Sequence, residues 1–88
     1  MKEKFDKVNF REKLLASGEF PMLYMFKFIV PKGKKDEVSD VFPKNKVELK
    51  ESSGGKYISA TIRIMAESPD QIINYYEEAA KIEGVISL

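Results

Sequence analysis

Three groups of residues have the types and spacing to do chemistry. Lys32-Gly33-Lys34-Lys35 gathers three ammonium groups around a glycine. Ahead of a helix, such a segment can hold an anion with its lysines and its backbone N–H groups together. Ser52-Ser53-Gly54-Gly55-Lys56-Tyr57 puts hydroxyls, a cation and a phenol at one turn. Ser and Lys can form nucleophile pairs, yet a turn tip offers neither shelter from water nor an oxyanion hole. Lys27 and Arg63 are two cations set inside alternating apolar runs, suited to a small anion-binding patch.

The composition narrows the chemistry further. The chain has 88 residues, a formal net charge of +1, and no His or Cys. That length fits one domain with a small core. Without Cys there is no thiol nucleophile and no zinc–thiolate site. Without His the commonest general base and neutral metal ligand are missing. Carboxylates alone can bind Mg²⁺ or Ca²⁺ when clustered, but here they are scattered among lysines. No catalytic residue, metal site or cofactor is assigned. The charged start, MKEKFDKVNFREK, lacks the apolar run of a signal peptide. The run Phe20 to Val30, broken by Lys27, falls short of the ~20 residues a membrane span needs. The expectation is a soluble, cytoplasmic protein with no membrane contact.

The elements that must position these residues are legible from period and punctuation. Phe5 to Ser17 reads as a short amphipathic helix with Phe5, Val8, Leu14 and Leu15 on one face, a loosely attached arm. Met22 to Val30 is an aromatic and β-branched strand bounded by Pro21 and Pro31. Lys32 to Lys35 is a basic loop. Asp36 to Phe42 is a brief helix, its acidic start favoured by the helix dipole and its end set by Pro43. Lys46 to Glu51 alternates as an edge strand, and Ser52 to Gly55 turns the chain into a second limb, Tyr57 to Ala66. Ser68, Pro69 and Gln71 announce a helix with a capping box. Glu83-Gly84 ends it, and Val85 to Leu88 is a last short strand.

The order is a helix followed by β-α-β-β-α-β. It predicts an α+β fold, a ferredoxin-like βαββαβ sandwich. A four-stranded antiparallel sheet in the order 4-1-3-2 should carry both main helices on one face. Residues 1–18 form the arm and 19–88 the domain. The second limb must turn Ile58, Ala60, Ile62 and Ile64 toward the helices. Its neighbour then turns Tyr24, Phe26 and Phe28 the same way, as core wall. Met25, Lys27, Lys46, Glu48, Lys50, Ser59, Thr61 and Arg63 fall on the solvent face. RNA-recognition modules of this fold stack bases on aromatics of that face. Here the later stacking positions hold Ser59 and Thr61, so nucleic acid is disfavoured.

A set of local motifs carries a resemblance to a known family. The motifs are Leu14-Leu15 with Glu19-Phe20-Pro21, then Lys27, then the run from Glu51 to Ser59. Tyr76-Glu77-Glu78, Lys81-Ile82 and Val85 complete them. Together they resemble the YbeD-like family of small bacterial proteins of unknown function. The resemblance implies a ferredoxin-like sandwich similar to ACT regulatory domains, and members have been proposed to regulate lipoate metabolism. Between Lys32 and Lys46 the sequence departs from the pattern, where the family has a longer first helix.

These readings point to a small non-enzymatic regulatory or protein-interaction module, ACT-like in sensing a small ligand. Lys32, Gly33, Lys34 and Lys35 are the candidate anion or ligand loop. Lys27, Ser53, Lys56, Tyr57 and Arg63 are candidates for recognition on the open face or hairpin. Val85, Ile86 and Leu88 form an uncharged edge able to pair with a protein partner or a second copy. The alternatives are a single-stranded RNA-binding module and an acylphosphatase-like enzyme. The second needs an Arg in the first loop, and both Arg11 and Arg63 lie outside it.

Overall fold

In the two longest apolar runs, alternation along the chain becomes alternation across a sheet. A computed structural model describes residues 7–52 and 54–88. The elements are α1 (Lys7–Ser17), β1 (Met22–Pro31), a 3₁₀ turn (Lys32–Lys34), α2 (Lys35–Val41), β2 (Val47–Glu51), β3 (Tyr57–Ala66), α3 (Pro69–Ala79) and β4 (Ile86–Ser87). The sheet order is β2-β3-β1-β4, with every ladder antiparallel. This is the ferredoxin-like arrangement expected from the sequence.

The β1–β3 ladder runs from Met22 opposite Ala66 to Pro31 opposite Tyr57. Phe26 lies opposite Ile62 and Phe28 opposite Ala60, so both rings of β1 share the core side with the β3 aliphatic set. Phe26, Phe28, Val30, Ile58, Ala60, Ile62 and Ile64 are buried with Val38 of α2 and Ile72, Ile73 and Ala79 of α3. Rings continue the core upward: Phe42 stacks on Tyr75 with centroids 4.5 Å apart. The aromatic strip of β1 is therefore core wall.

Helix α3 starts as its sequence announces. The Ser68 hydroxyl accepts from the Gln71 N–H at 3.3 Å, and Gln71 Oε1 accepts from the Glu67 N–H at 2.7 Å. The reciprocal bond of the capping box thus reaches one residue earlier than the cap itself. Ser68→Ala should cost about 1 kcal/mol in urea unfolding.

Several boundaries differ from expectation. The expected loop Lys32 to Lys35 is a 3₁₀ turn running directly into α2, anchored where the Lys32 N–H donates to the Lys56 carbonyl at 3.0 Å. Seven residues of α2 do not cover all of β2. Leu49 shares a register position with Ala60 on the helix side, yet stays exposed. Only Gly55, with φ +71°, takes the positive φ expected of the hairpin glycines. Ser53 lies outside the described residues. Helix α3 stops at Ala79, and β4 is confined to Ile86–Ser87, although the Leu88 N–H still donates to the Lys27 carbonyl at 2.9 Å. The Phe20–Pro21 peptide bond is cis.

The face of α1 is the clearest correction. Val8 and Leu15 are 70% and 52% exposed, whereas Leu14 is buried and Phe10 packs against the core. Phe5 lies outside the described residues. The helix is apolar on more than one side, and α3 selects the stripe that touches it. Phe10 meets Tyr76 edge-on at 5.6 Å, and Arg11 Nε reaches Asp70 Oδ1 at 3.0 Å. Leu14→Ala should therefore cost about 2–4 kcal/mol, while Leu15→Ala should stay within about 0.5 kcal/mol. Urea unfolding of the pair reads the difference directly.

Candidate functional site

Since α2 and α3 lie on one face of the sheet, the other face is built from the alternate residues of the same strands. The registers arrange them in rows. Lys50, Ser59 and Ile29 share one row with Ile86. Glu48, Thr61 and Lys27 form the next, with Leu88 beside Lys27. Arg63 then sits beside Met25, and Met65 beside Leu23. The predicted solvent-face set is thus brought together except for Lys46, which precedes β2, and it lies within a surface more apolar than expected. Leu23, Met65 and Leu88 are 64%, 59% and 63% exposed.

At the hairpin end, Lys27, Ile29, Lys50, Glu51, Ser52, Tyr57, Ser59 and Leu88 line an open depression of about 380 Å³. Its chemistry is two ammonium groups, the Glu51 carboxylate that Lys32 approaches, hydroxyls from three residues and an apolar floor. That combination can seat a carboxylate-bearing group.

The cations on this side of the molecule are not equivalent. Arg63 Nη1 donates to Glu48 Oε2 at 2.7 Å, which neutralises it locally. Lys32 is near Glu51 at 3.7 Å, and Lys34 pairs with Glu37 at 3.2 Å. Two lysines of the basic turn are thus held by carboxylates, and the Lys32 N–H is already donated. Lys35 and Gly33 are exposed beside them, so the turn brings its lysines together without leaving all three free. Lys27 and Lys50 have no ion-pair partner among the described residues.

Lys56 and Tyr57 sit at the hairpin end, where the Ser52 hydroxyl accepts from the Tyr57 N–H at 3.3 Å. The expected edge divides: Ile86 is exposed on β4 and Leu88 just beyond it, whereas Val85 precedes the strand and packs on the core, where the edge has no use of it. Sequence reasoning missed Leu23 and Met65 as surface features and, having put Lys27, Lys50 and Ser59 on one face, did not gather them around one depression. The period-2 set opposite the core contained them all. Their grouping depends on register, which a single strand does not carry.

Among the described residues one titrating group is shifted, and it belongs to the core side. Burial first, then the Tyr24 hydroxyl 2.9 Å away, pushes the Tyr76 phenol well above its ordinary range. Below about pH 10, the unperturbed tyrosine value, both folded and unfolded chains keep the proton and stability is full. Above it the unfolded chain releases the proton first, so stability falls as pH rises. The loss from about pH 9.5 to 11 should be steeper in the natural chain than in Tyr76→Phe, as read by urea titrations at each pH.

Comparison with known proteins adds the following. The family described as a protein of unknown function (DUF493) matches residues 16–88. A UPF0250 protein of Haemophilus ducreyi is 41% identical over 81 residues, covering 83% of this chain and 82% of that protein. A UPF0250 protein of Haemophilus influenzae is 48% identical over 46 residues, which is 52% of this chain and 46% of that protein. No solved structure matches the chain.

Proposed function

The chain belongs to the DUF493 family of proteins of unknown function, and from that premise we propose that it is a non-catalytic interaction module that docks a protein partner on the open face of its sheet. The observation that carries this reading is the apolar character of a face that no described helix covers. An antiparallel sheet with one solvated side ordinarily turns polar residues outward. Here Leu23, Met25, Met65, Ile86 and Leu88 are exposed on that side. Contiguous exposed apolar surface marks interaction sites more often than chance exposure does. Strand β4 adds an outer edge with no ladder partner among the described residues, a second means of engagement through the backbone.

Leu23 and Met65 stand directly opposite each other on β1 and β3. The double variant Leu23→Thr/Met65→Thr keeps β propensity and a cross-strand pair, so stability should change by less than about 1 kcal/mol. Native mass spectrometry of the chain purified gently from its own host should show a retained protein partner, absent from the double variant. Cross-links to that partner should map to the sheet rather than the helices. Retention of the same partner by the variant, or cross-links confined to the helix layer, overturns the docking face.

A further inference from the structure

We propose that the segment docked on the open face is acidic, and that its carboxylates engage Lys27 and Lys50. The proposal rests on the reading of that face as a docking surface and names the chemistry of what docks. Lys27 comes from β1 and Lys50 from β2, on the same side of the sheet with β3 between them. Both are exposed, and neither has an ion-pair partner among the described residues. The carboxylates nearest in the fold are already engaged: Glu48 by Arg63 and Glu51 by Lys32. The face thus presents two cations with no ion-pair partner among the described residues, over the depression that Glu51, Ser52, Tyr57 and Ser59 help to line.

The spacing suits a polypeptide. Two strand separations place the lysine backbones about 10 Å apart across the sheet, and the one-row offset adds about 7 Å along it. An extended segment with acidic residues four positions apart keeps both side chains on one side and spans that distance at about 3.3 Å per residue. Its apolar side chains would meet Leu88 and Ile86 on one side and Met25 on the other. A second copy docked face to face with its two-fold axis through this patch would bring the same lysines together, and like charges at an interface are unfavourable. Single-stranded RNA would need a stacking platform, and the positions around Tyr57 hold Ser59 and Thr61.

The test uses the full chain and a short fluorescein-labelled peptide of glutamates and leucines, with the same peptide carrying glutamine for every glutamate as its pair. Fluorescence anisotropy should show the glutamate peptide binding at least about tenfold more tightly, with the preference shrinking as salt rises. Lys27→Glu/Lys50→Glu should abolish the preference, and Lys44→Glu, in the turn between α2 and β2, should leave it intact. Equal binding of the two peptides to the natural chain overturns the acidic segment. So does an equal loss in Lys44→Glu, and so does full displacement by free glutamate at matched carboxylate concentration, which would mark a site for a bare anion. The docking face is read separately. Peptide binding that survives Leu23→Thr/Met65→Thr with its charge preference unchanged supports the acidic seat while removing the apolar part of the face. Binding indifferent to every open-face substitution overturns both.

Discussion

Phe26→Ala should leave the chain at the margin of folding. Phe26 is fully buried, with the rings of Tyr24, Phe28, Phe42, Tyr75 and Tyr76 at centroid distances of 4.9, 5.9, 5.2, 5.6 and 4.9 Å. Removing a buried phenyl group costs about 3–5 kcal/mol, from lost transfer energy and from the cavity left behind. A domain of this length has a total stability of about 4–13 kcal/mol at ordinary per-residue values. The cost is therefore a large share of the whole. The neighbours are themselves rings held by the sheet, by helix α3 or, for Phe42, at the end of α2, so they cannot collapse freely into the gap. Urea unfolding followed by circular dichroism should show a much lower midpoint, or no folded baseline. Phe26→Leu should recover most of the loss, and Tyr57→Ala, at an exposed position, should change little. A loss under about 1 kcal/mol for Phe26→Ala would contradict the core described here.

Gly84→Ala should also be strongly destabilising, and its cause is backbone geometry. Gly84 has φ +82°, where a side chain costs about 1–2 kcal/mol. A Cβ there would also stand 2.8 Å from Pro31 Cγ and 3.2 Å from Pro31 Cδ. The proline ring cannot swing aside as a flexible chain would. It closes β1 just before the 3₁₀ turn, so displacing it disturbs the first crossover as well as the approach to β4. The combined cost should be about 2–4 kcal/mol. A double-mutant cycle separates the two contributions. In a Pro31→Ala background, Gly84→Ala should cost only the conformational part, with a coupling of about 1 kcal/mol or more. Additive effects would show that Pro31 is not the obstacle.

The docking predictions depend on different physics. Leu23→Thr/Met65→Thr and the lysine reversals touch exposed side chains, where substitutions shift stability little. A folded variant that loses its partner therefore reports on the surface alone. If both sets behave as expected, the family's open sheet face acquires a chemical description: apolar at both ends, cationic between β1 and β2.

Much of this architecture was legible because it is written locally. Tyr57 to Ala66 alternates for its full length, and a strand's faces follow from that alternation alone. Ser68, Pro69 and Gln71 mark a helix start within four residues. Given the strand order, the only consistent place for Phe26 and Phe28 was the core. The sequence was also sufficient to place Lys27, Arg63 and Ile86 correctly on the open side or edge.

What the sequence left open was each choice that depends on a distant neighbour. Helix α1 offered several apolar stripes, and contact with Tyr76 and Asp70 of α3 decided for Phe10 and Leu14. The basic turn looked like three free lysines until folding brought Glu51 to Lys32 and coiled Lys34 onto Glu37. Lys27 and Lys50 are left without an ion-pair partner among the described residues while Glu48, on the same face, is taken by Arg63. Periodicity and capping act over a few residues and need no partner to be read. Ion pairing and the choice of buried face are differences between alternative neighbours, and those neighbours exist only once the chain has closed on itself.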